Sequence, residues 1–254
     1  MLSLRAHSLD DDDGSESRVR DCGVVAAQLR HVDGAALAHA LRILAIHQSL
    51  CHIGGRPAVR SGGAVLPSAR CDLADPSTFA SALVHAERVL GGVDRVVVTA
   101  ADFATQEMLE EAPERAVALC TVNFAHTVGF CEHARAALAR TGAGVLCVFS
   151  SVAGDRGRTP VVIYGASKAG VSAYLEGLDH KFRRDGLRVV CVKPGFVHTS
   201  MTAGLSPPPF AGEPEAVAAM AIRGMDRGTP AFYAPSIWRW VMLVIRQIPR
   251  IAMR

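Results

Sequence analysis

From about residue 69 onwards, runs of consecutive apolar residues alternate with longer segments of mixed character. Consecutive apolar residues are typical of strands that are buried on both faces of a sheet. These runs predict strands over residues 94–100, 145–151, 187–192 and 231–234. The longer segments predict helices over residues 75–90, 113–139, 166–174 and 215–225. Strands and helices in this alternating order predict an α/β fold, with a doubly wound parallel sheet in a single domain.

Small polar residues and glycines follow two of the predicted strands. Ser150 and Ser151 end one strand, and Pro194 and Gly195 end the next. In an open parallel sheet, ligands bind at the carboxyl ends of the strands, so a binding site is predicted there. Residues 204–214 are rich in Pro and Gly. They are predicted to form either a mobile loop on the substrate side or a plain linker.

Tyr164 and Lys168 lie four residues apart on a predicted helix, so their side chains share one face. A phenol with an unperturbed pKa of about 10 is a poor acid–base catalyst at neutral pH. A nearby ammonium favours the phenolate, and Lys168 is therefore expected to lower the pKa of Tyr164. Ser151 would hold a carbonyl or hydroxyl group while Tyr164 gives or takes the proton. Ser150 is assigned a structural role.

These residues together resemble the short-chain dehydrogenase/reductase family, which has a Rossmann-type fold. The resemblance runs from roughly Ala69 to the C terminus. It rests on Ser151, Tyr164, Lys168, the Pro-Gly-Phe-Val-His-Thr turn at 194–199, Asn123 in Thr-Val-Asn-Phe, and Asp72 in Cys-Asp-Leu. All of these residues stand at mutually consistent spacings.

The resemblance implies a reductase that uses NADH or NADPH and forms a homo-oligomer. In the family pattern, Tyr164 protonates the substrate, Lys168 contacts the nicotinamide ribose, Ser151 orients the carbonyl, and Asn123 supports a water chain. The same pattern implies cofactor contacts, besides Tyr164 and Lys168, from Asp72 near the adenine and from Pro194, Gly195 and Thr199 on the nicotinamide and pyrophosphate side.

A narrower resemblance involves residues 151–158 and the tail at 233–250. Both segments are similar to the decaprenylphosphoryl-2-keto-ribose reductases of mycobacteria and their actinobacterial relatives. This similarity implies a keto-sugar substrate linked to a polyprenyl phosphate, a role in cell-wall arabinan precursor synthesis, and a preference for NADH. Two alternatives stay open: a general keto-reductase of acyl or steroid-like substrates, and a non-catalytic scaffold on the same fold.

The segment 21–68 departs from the pattern of a dinucleotide-binding fold. A strand beginning at Val24 and a helix over residues 35–45 are predicted, but only Gly34 stands between them, where a glycine-rich turn is expected. Residues 98–101 read Val-Thr-Ala-Ala, where the family has Asn-Asn-Ala-Gly. Three interpretations compete: a minimal turn at Gly34, lost cofactor binding, or a shifted reading frame or wrong start upstream of residue 69.

Composition narrows the functional classes. The net charge of +3 and the lack of a basic patch with aromatic residues argue against nucleic-acid binding. The seven Cys contain no Cys-x-x-Cys pair, and the ten His lack metal-ligand spacing, so a reduced cytoplasmic protein without a metal is predicted. Cys147 and Cys191 fall inside predicted strands, as small buried apolar residues do.

The two ends of the chain differ in character. Residues 1–20 are polar and charged, which predicts a disordered tail, and no stretch approaches the ~20 apolar residues of a membrane span. Residues 236–254 are amphipathic, with two Trp and several Arg. They are predicted either to meet a membrane surface or a polyprenyl phosphate, which would place the protein at the inner face of the membrane, or to pack on the protein's own domain or a second subunit.

Overall fold

The computed structural model describes residues 43–46, 51–52, 60–61, 64–65 and 69–253. The predictions of a disordered tail at 1–20, of a strand at Val24 and of a turn at Gly34 lie outside these residues.

Within the described residues, the central sheet has five parallel strands: β1 Ile43–Ile46, β6 Arg95–Val98, β7 Gly144–Phe149, β8 Leu187–Pro194 and β9 Ala231–Ala234. They lie side by side in the order β1-β6-β7-β8-β9. Two small antiparallel pairs lie outside this sheet: β2 Cys51–His52 with β5 Arg70–Cys71, and β3 Arg60–Ser61 with β4 Ala64–Val65. The predicted parallel sheet is confirmed.

The helix predicted over residues 35–45 is wrong at its C-terminal end. Residues 43–46 form β1, which pairs in parallel with β6 from Ile43 opposite Arg95 to Ile46 opposite Val98. Two isoleucines in four residues favour a strand, and the hydrogen bonds to β6 override a weak helical pattern.

Seven α-helices are seen in the described part of the chain. They are α1 Thr78–Leu90, α2 Gln106–Glu111, α3 Pro113–Cys120, α4 Thr127–Ala139, α5 Val162–Phe182, α6 Pro214–Arg227 and α7 Trp238–Gln247. The helix predicted over 113–139 is interrupted, because Thr121–His126 forms a π-helical turn between α3 and α4. Helix α5 extends beyond the predicted range at both ends and is followed by Gly186 in the left-handed conformation.

Alternate residues of the central strands supply two cores. Val96, Val98, Leu146, Val148, Val189 and Cys191 face the helices α1, α4 and α5. Val97, Val145, Cys147, Val190 and Val192 face helix α6 on the other side. Successive side chains of a strand point to opposite faces, so each apolar run serves both layers. This is the doubly wound arrangement, and it buries the free thiols Cys147 and Cys191 as predicted.

Candidate active site

The predicted catalytic residues meet at the carboxyl ends of β7 and β8. Ser151 is the second residue after β7, and Tyr164 and Lys168 lie on α5, which packs against the sheet. A hydrogen bond joins the side chains of Tyr164 and Ser151. Ser151, Tyr164 and Lys168, three of the four predicted catalytic residues, therefore form one group. The strand end positions Ser151, and the i, i+4 spacing positions the other two.

Lys168 is almost completely buried, and its Nζ donates a hydrogen bond to the carbonyl oxygen of Phe149 at 3.0 Å. The same Nζ lies 5.8 Å from the centre of the Tyr164 ring. Burial lowers the pKa of Lys168 to about 8, because the charged form loses its hydration. The lysine is thus fixed beneath the tyrosine and remains mostly charged at neutral pH.

The expectation that Lys168 lowers the pKa of Tyr164 is wrong for this structure. Burial raises the pKa of Tyr164 to about 12, and the hydrogen bond to Ser151 only partly opposes that effect. The phenol is therefore neutral across the physiological range. A neutral phenol held by a serine hydroxyl is suited to donate a proton to an oxygen that gains negative charge.

Asn123 is fully buried in the π-helical turn and is bound to the backbone of Asp102. Its Oδ1 accepts from the Asp102 amide at 2.7 Å, and its Nδ2 donates to the Asp102 carbonyl at 2.8 Å. The next residue, Phe103, packs edge-on against the Tyr164 ring with centroids 5.2 Å apart. Asn123 therefore holds the segment that orients Tyr164, while its predicted role in a water chain stays a prediction.

Replacing Asn123 by alanine is expected to lower the free energy of unfolding by about 2 kcal/mol, because the buried backbone groups of Asp102 lose both partners. The turnover rate should fall as well, since Phe103 is then released from its position. Urea unfolding measures the first effect. Thr121→Ala is the matched control, as it removes a single hydrogen bond to Val117 in the same turn. Equal unfolding midpoints for both variants would contradict this role of Asn123.

Ser150 has the structural role that the sequence predicts. Its Oγ donates to the carbonyl of Lys168 at 2.9 Å and is hydrogen-bonded to Ser172 Oγ at 2.7 Å. Two glycines permit the close approach of the segment after Ser151 to helix α5. A Cβ on Gly154 would lie 2.7 Å from the Ala169 amide, and one on Gly165 would lie 2.8 Å from the Ala153 carbonyl.

The predicted cofactor-binding residues fall into two groups. Pro194 and Gly195 stand at the end of β8, beside the predicted catalytic residues. Thr199 follows in a turn closed by hydrogen bonds with Thr202. Asp72 instead follows β5, outside the five-stranded sheet. Its carboxylate accepts from the Ala74 amide at 2.8 Å and lies 3.7 Å from the guanidinium of Arg70.

A buried ion pair that the sequence reasoning missed supports the segment after Ser151. Lys193 Nζ lies 2.7 Å from Asp155 Oδ1, and the hydroxyl of Tyr233 donates to Asp155 Oδ2 at 2.5 Å. The carboxylate of Asp155 is only 4% exposed. A charged residue within the apolar run of β8, Lys193, is the signal in the sequence that could have indicated it.

The Lys168 pKa predicts a pH dependence of stability. The unfolded ammonium titrates near pH 10.5 and the buried one near 8, so between these values the folded state binds fewer protons. The free energy of unfolding should therefore rise with pH across this window, relative to Lys168→Met, by roughly 3 kcal/mol. Chemical denaturation at pH 7 and pH 10.5 measures this difference. Lys168→Met also loses the hydrogen bond to Phe149, which changes its free energy of unfolding by the same amount at every pH. If the free energies of unfolding of the two proteins change in parallel with pH, the burial of the Lys168 charge is contradicted.

In the described residues, no group of three or more His, Cys, Asp or Glu is arranged to hold a metal ion. Every helix in that part of the chain is too short or too polar to span a bilayer.

A parallel doubly wound sheet with serine, tyrosine and lysine gathered at its carboxyl edge defines a short-chain dehydrogenase. Residues 58–209 match the family described as short chain dehydrogenase, and the chain belongs to that family of oxidoreductases. The match begins at residue 58. It therefore starts earlier than the resemblance described above, which begins at roughly Ala69.

Two bacterial relatives are similar over most of the chain. An uncharacterized oxidoreductase of Mycobacterium tuberculosis is 33% identical over 201 residues, which cover 78% of this chain and 80% of that protein. An uncharacterized oxidoreductase of Streptomyces coelicolor is 32% identical over 229 residues, which cover 84% and 88% respectively.

Among solved structures, a short chain dehydrogenase of Burkholderia cenocepacia in complex with NADP superposes with a TM-score of 0.60. It is 21% identical, and the superposition covers 71% of this chain and 78% of that one. At this identity the likeness supports the fold.

Proposed function

We propose that the protein is a nicotinamide-dependent reductase that converts a keto group into an alcohol. The observation that carries the proposal is the buried group of Ser151, neutral Tyr164 and charged Lys168 at the carboxyl edge of the sheet. When bound, the nicotinamide supplies the hydride. The structural relative in complex with NADP supports a cofactor of this kind.

The residues of this chain suit three tasks in such a reaction. In the proposed reaction Ser151 holds the carbonyl oxygen, and Tyr164, which is hydrogen-bonded to Ser151, gives that oxygen its proton. The Lys168 ammonium carries three donors, of which the contact with Phe149 uses one. Its buried charge stabilises negative charge that develops nearby, as preorganised groups in a water-excluded site do.

Several residues fit a nicotinamide cofactor. Pro194 ends β8, and Gly195 follows it with Trp238 packed where a Cβ would stand. Thr199 lies in the turn just beyond. We assign these residues to the nicotinamide and pyrophosphate side, and Asp72 to the adenine. NADH is the proposed donor on the narrower resemblance to keto-ribose reductases, with NADPH as the alternative.

The proposed substrate is a keto sugar linked to a polyprenyl phosphate. Two arginines in the segment between Ser151 and Tyr164 support an anionic substrate. Arg156 reaches the tail of the chain, where its Nη2 donates to the Ile248 carbonyl at 2.9 Å. Arg158 has a buried Nε without a hydrogen-bond partner among the described residues. A phosphate group offers the acceptors that such a donor lacks.

Cofactor binding and substrate choice are tested separately. Titration of the full chain with NADH and with NADPH, followed by cofactor fluorescence, is expected to show saturable binding. Oxidation of the bound cofactor should then follow addition of a polyprenyl-phosphate keto sugar, and not of acyl or steroid ketones. Binding without turnover of any ketone would indicate a non-catalytic protein, and turnover of acyl or steroid ketones alone would indicate a general keto-reductase.

The proposed homo-oligomer has a candidate surface on α3 and the π-helical turn. An open apolar groove there is lined by Ala116, Val117, Cys120, Thr121, Phe124, Ala125 and Ile163. Val117 and Phe124 are exposed. Burying such apolar area against a second copy would stabilise an oligomer. Light scattering of the purified chain tests this proposal, and a monomer at high concentration would contradict it.

A further inference from the structure

Helix α7 is fixed to the protein by one of its faces. Trp238 and Met242 are buried there, and they pack with Val152 from the segment that follows Ser151. The indole Nε1 of Trp238 donates to the Phe210 carbonyl at 3.2 Å. Arg156 binds the carbonyl of Ile248 just beyond the helix end. The helix therefore forms part of the wall beside the candidate active site, which agrees with the prediction that the tail packs on its own domain.

The opposite face of the same helix carries large apolar side chains in contact with solvent. Trp240, Leu243 and Val244 are each more than half exposed, and Ile251 in the following turn is 79% exposed. Soluble proteins seldom group several such residues on one surface without a partner. We refer to these four residues, together with the arginines named next, as the α7 face.

The charges of this segment all have one sign. Arg239, Arg246 and Arg250 are exposed, and residues 236–254 contain no Asp or Glu. The guanidinium of Arg239 lies 5.4 Å from the centre of the Trp240 ring, which places cation and indole side by side. A helix with Trp, Leu and Val on one surface and arginines beside them has the composition of an interfacial helix on an anionic bilayer.

A second copy of the chain is a poorer partner for the same surface. A two-fold interface would bring the arginines of one α7 face against those of the other, and no acidic residue of the segment would compensate them. Helix α7 itself is too short to span a membrane, because its 10 residues extend only about 15 Å and a span needs about 20 residues.

We propose that the α7 face docks in the plane of an anionic phospholipid bilayer, with its apolar side chains in the headgroup region and its arginines on lipid phosphates. Docking does not depend on catalysis and is separable from the proposed function. If both hold, the bilayer lies next to the segment between Ser151 and Tyr164.

The test is flotation of the full chain with vesicles of phosphatidylcholine alone or with added phosphatidylglycerol. We expect binding to the anionic vesicles that weakens with salt. The variant Trp240→Ser with Val244→Ser should bind at least about tenfold more weakly, because two interfacial apolar anchors are lost. Arg239→Gln with Arg250→Gln should remove most of the salt dependence. Both variants leave the buried Trp238 and Met242 in place, and circular dichroism checks that they fold.

Matched controls lie elsewhere on the surface. Val84→Ser removes an exposed apolar side chain from α1, and Arg115→Gln removes an exposed charge from α3. Both controls should bind vesicles as the unaltered chain does. The proposal is overturned if the full chain does not float with anionic vesicles, or if the α7-face variants and the controls bind equally. It is also overturned if the Trp240→Ser, Val244→Ser variant loses only self-association, since that result identifies a second copy as the partner.

Discussion

Tyr164→Phe is expected to lower turnover by about 10²- to 10⁴-fold, the range that a positioned proton donor contributes. The substitution removes only the hydroxyl that is hydrogen-bonded to Ser151. The ring keeps its edge-on contact with Phe103 at 5.2 Å, so the fold and the shape of the site should persist. Stopped-assay rates, measured with the ketone identified by the substrate panel, give the effect directly.

Tyr174→Phe is the matched control for this experiment. It removes a phenolic hydroxyl from the same helix, but that hydroxyl donates to Glu132 at 2.8 Å instead of reaching Ser151. The control should retain its turnover rate and its cofactor affinity. If Tyr164→Phe keeps a near-normal rate, or if the two variants lose the same amount of activity, Tyr164 is not the proton donor.

Gly195→Ala is expected to reduce the free energy of unfolding by about 3 kcal/mol. A Cβ at this position would lie 2.0 Å from Nε1 of Trp238 and 2.1 Å from its Cε2, a separation that no pair of non-bonded atoms can maintain. The indole must move, although it is buried with Val152 and Met242. Overpacking of a dense core typically costs about 1–3 kcal/mol of the free energy of unfolding. We expect a loss near the upper end of this range, because the indole can move only if α7 is displaced.

Urea denaturation of Gly195→Ala and of Gly157→Ala isolates the steric effect. A Cβ on Gly157 would meet no atom within 4 Å, so alanine at that position should leave the unfolding midpoint nearly unchanged. The Gly195 variant should also show a change in tryptophan fluorescence in its folded state, because Trp238 is displaced. A folded Gly195→Ala variant with the unaltered midpoint and emission would show that Trp238 does not pack on this glycine.

Local patterns predicted the parallel sheet and also predicted that Ser151, Tyr164 and Lys168 lie together. The valine runs of β6, β7 and β8 serve two buried layers, so each run identifies a strand without reference to distant residues. The spacing of Tyr164 and Lys168 places both on one helix face, and Ser151 stands at a strand end, where parallel sheets bind ligands. The helix predicted over residues 35–45 is wrong from residue 43 onwards, because the state of residues 43–45 depends on pairing with β6.

What the sequence by itself determined, then, is the order of the elements and the grouping of Ser151, Tyr164 and Lys168, since both follow from short-range periodicity and spacing. Only the tertiary structure decided the electrostatics and the support of the site. Burial raises the pKa of Tyr164, whereas Lys168 was expected to lower it. The burial of the ring depends on every element packed around it. The hydrogen bonds between Asn123 and Asp102 join residues far apart in the chain, and so does the packing of Trp238 on Gly195. Such contacts follow from packing between elements, which no local pattern records.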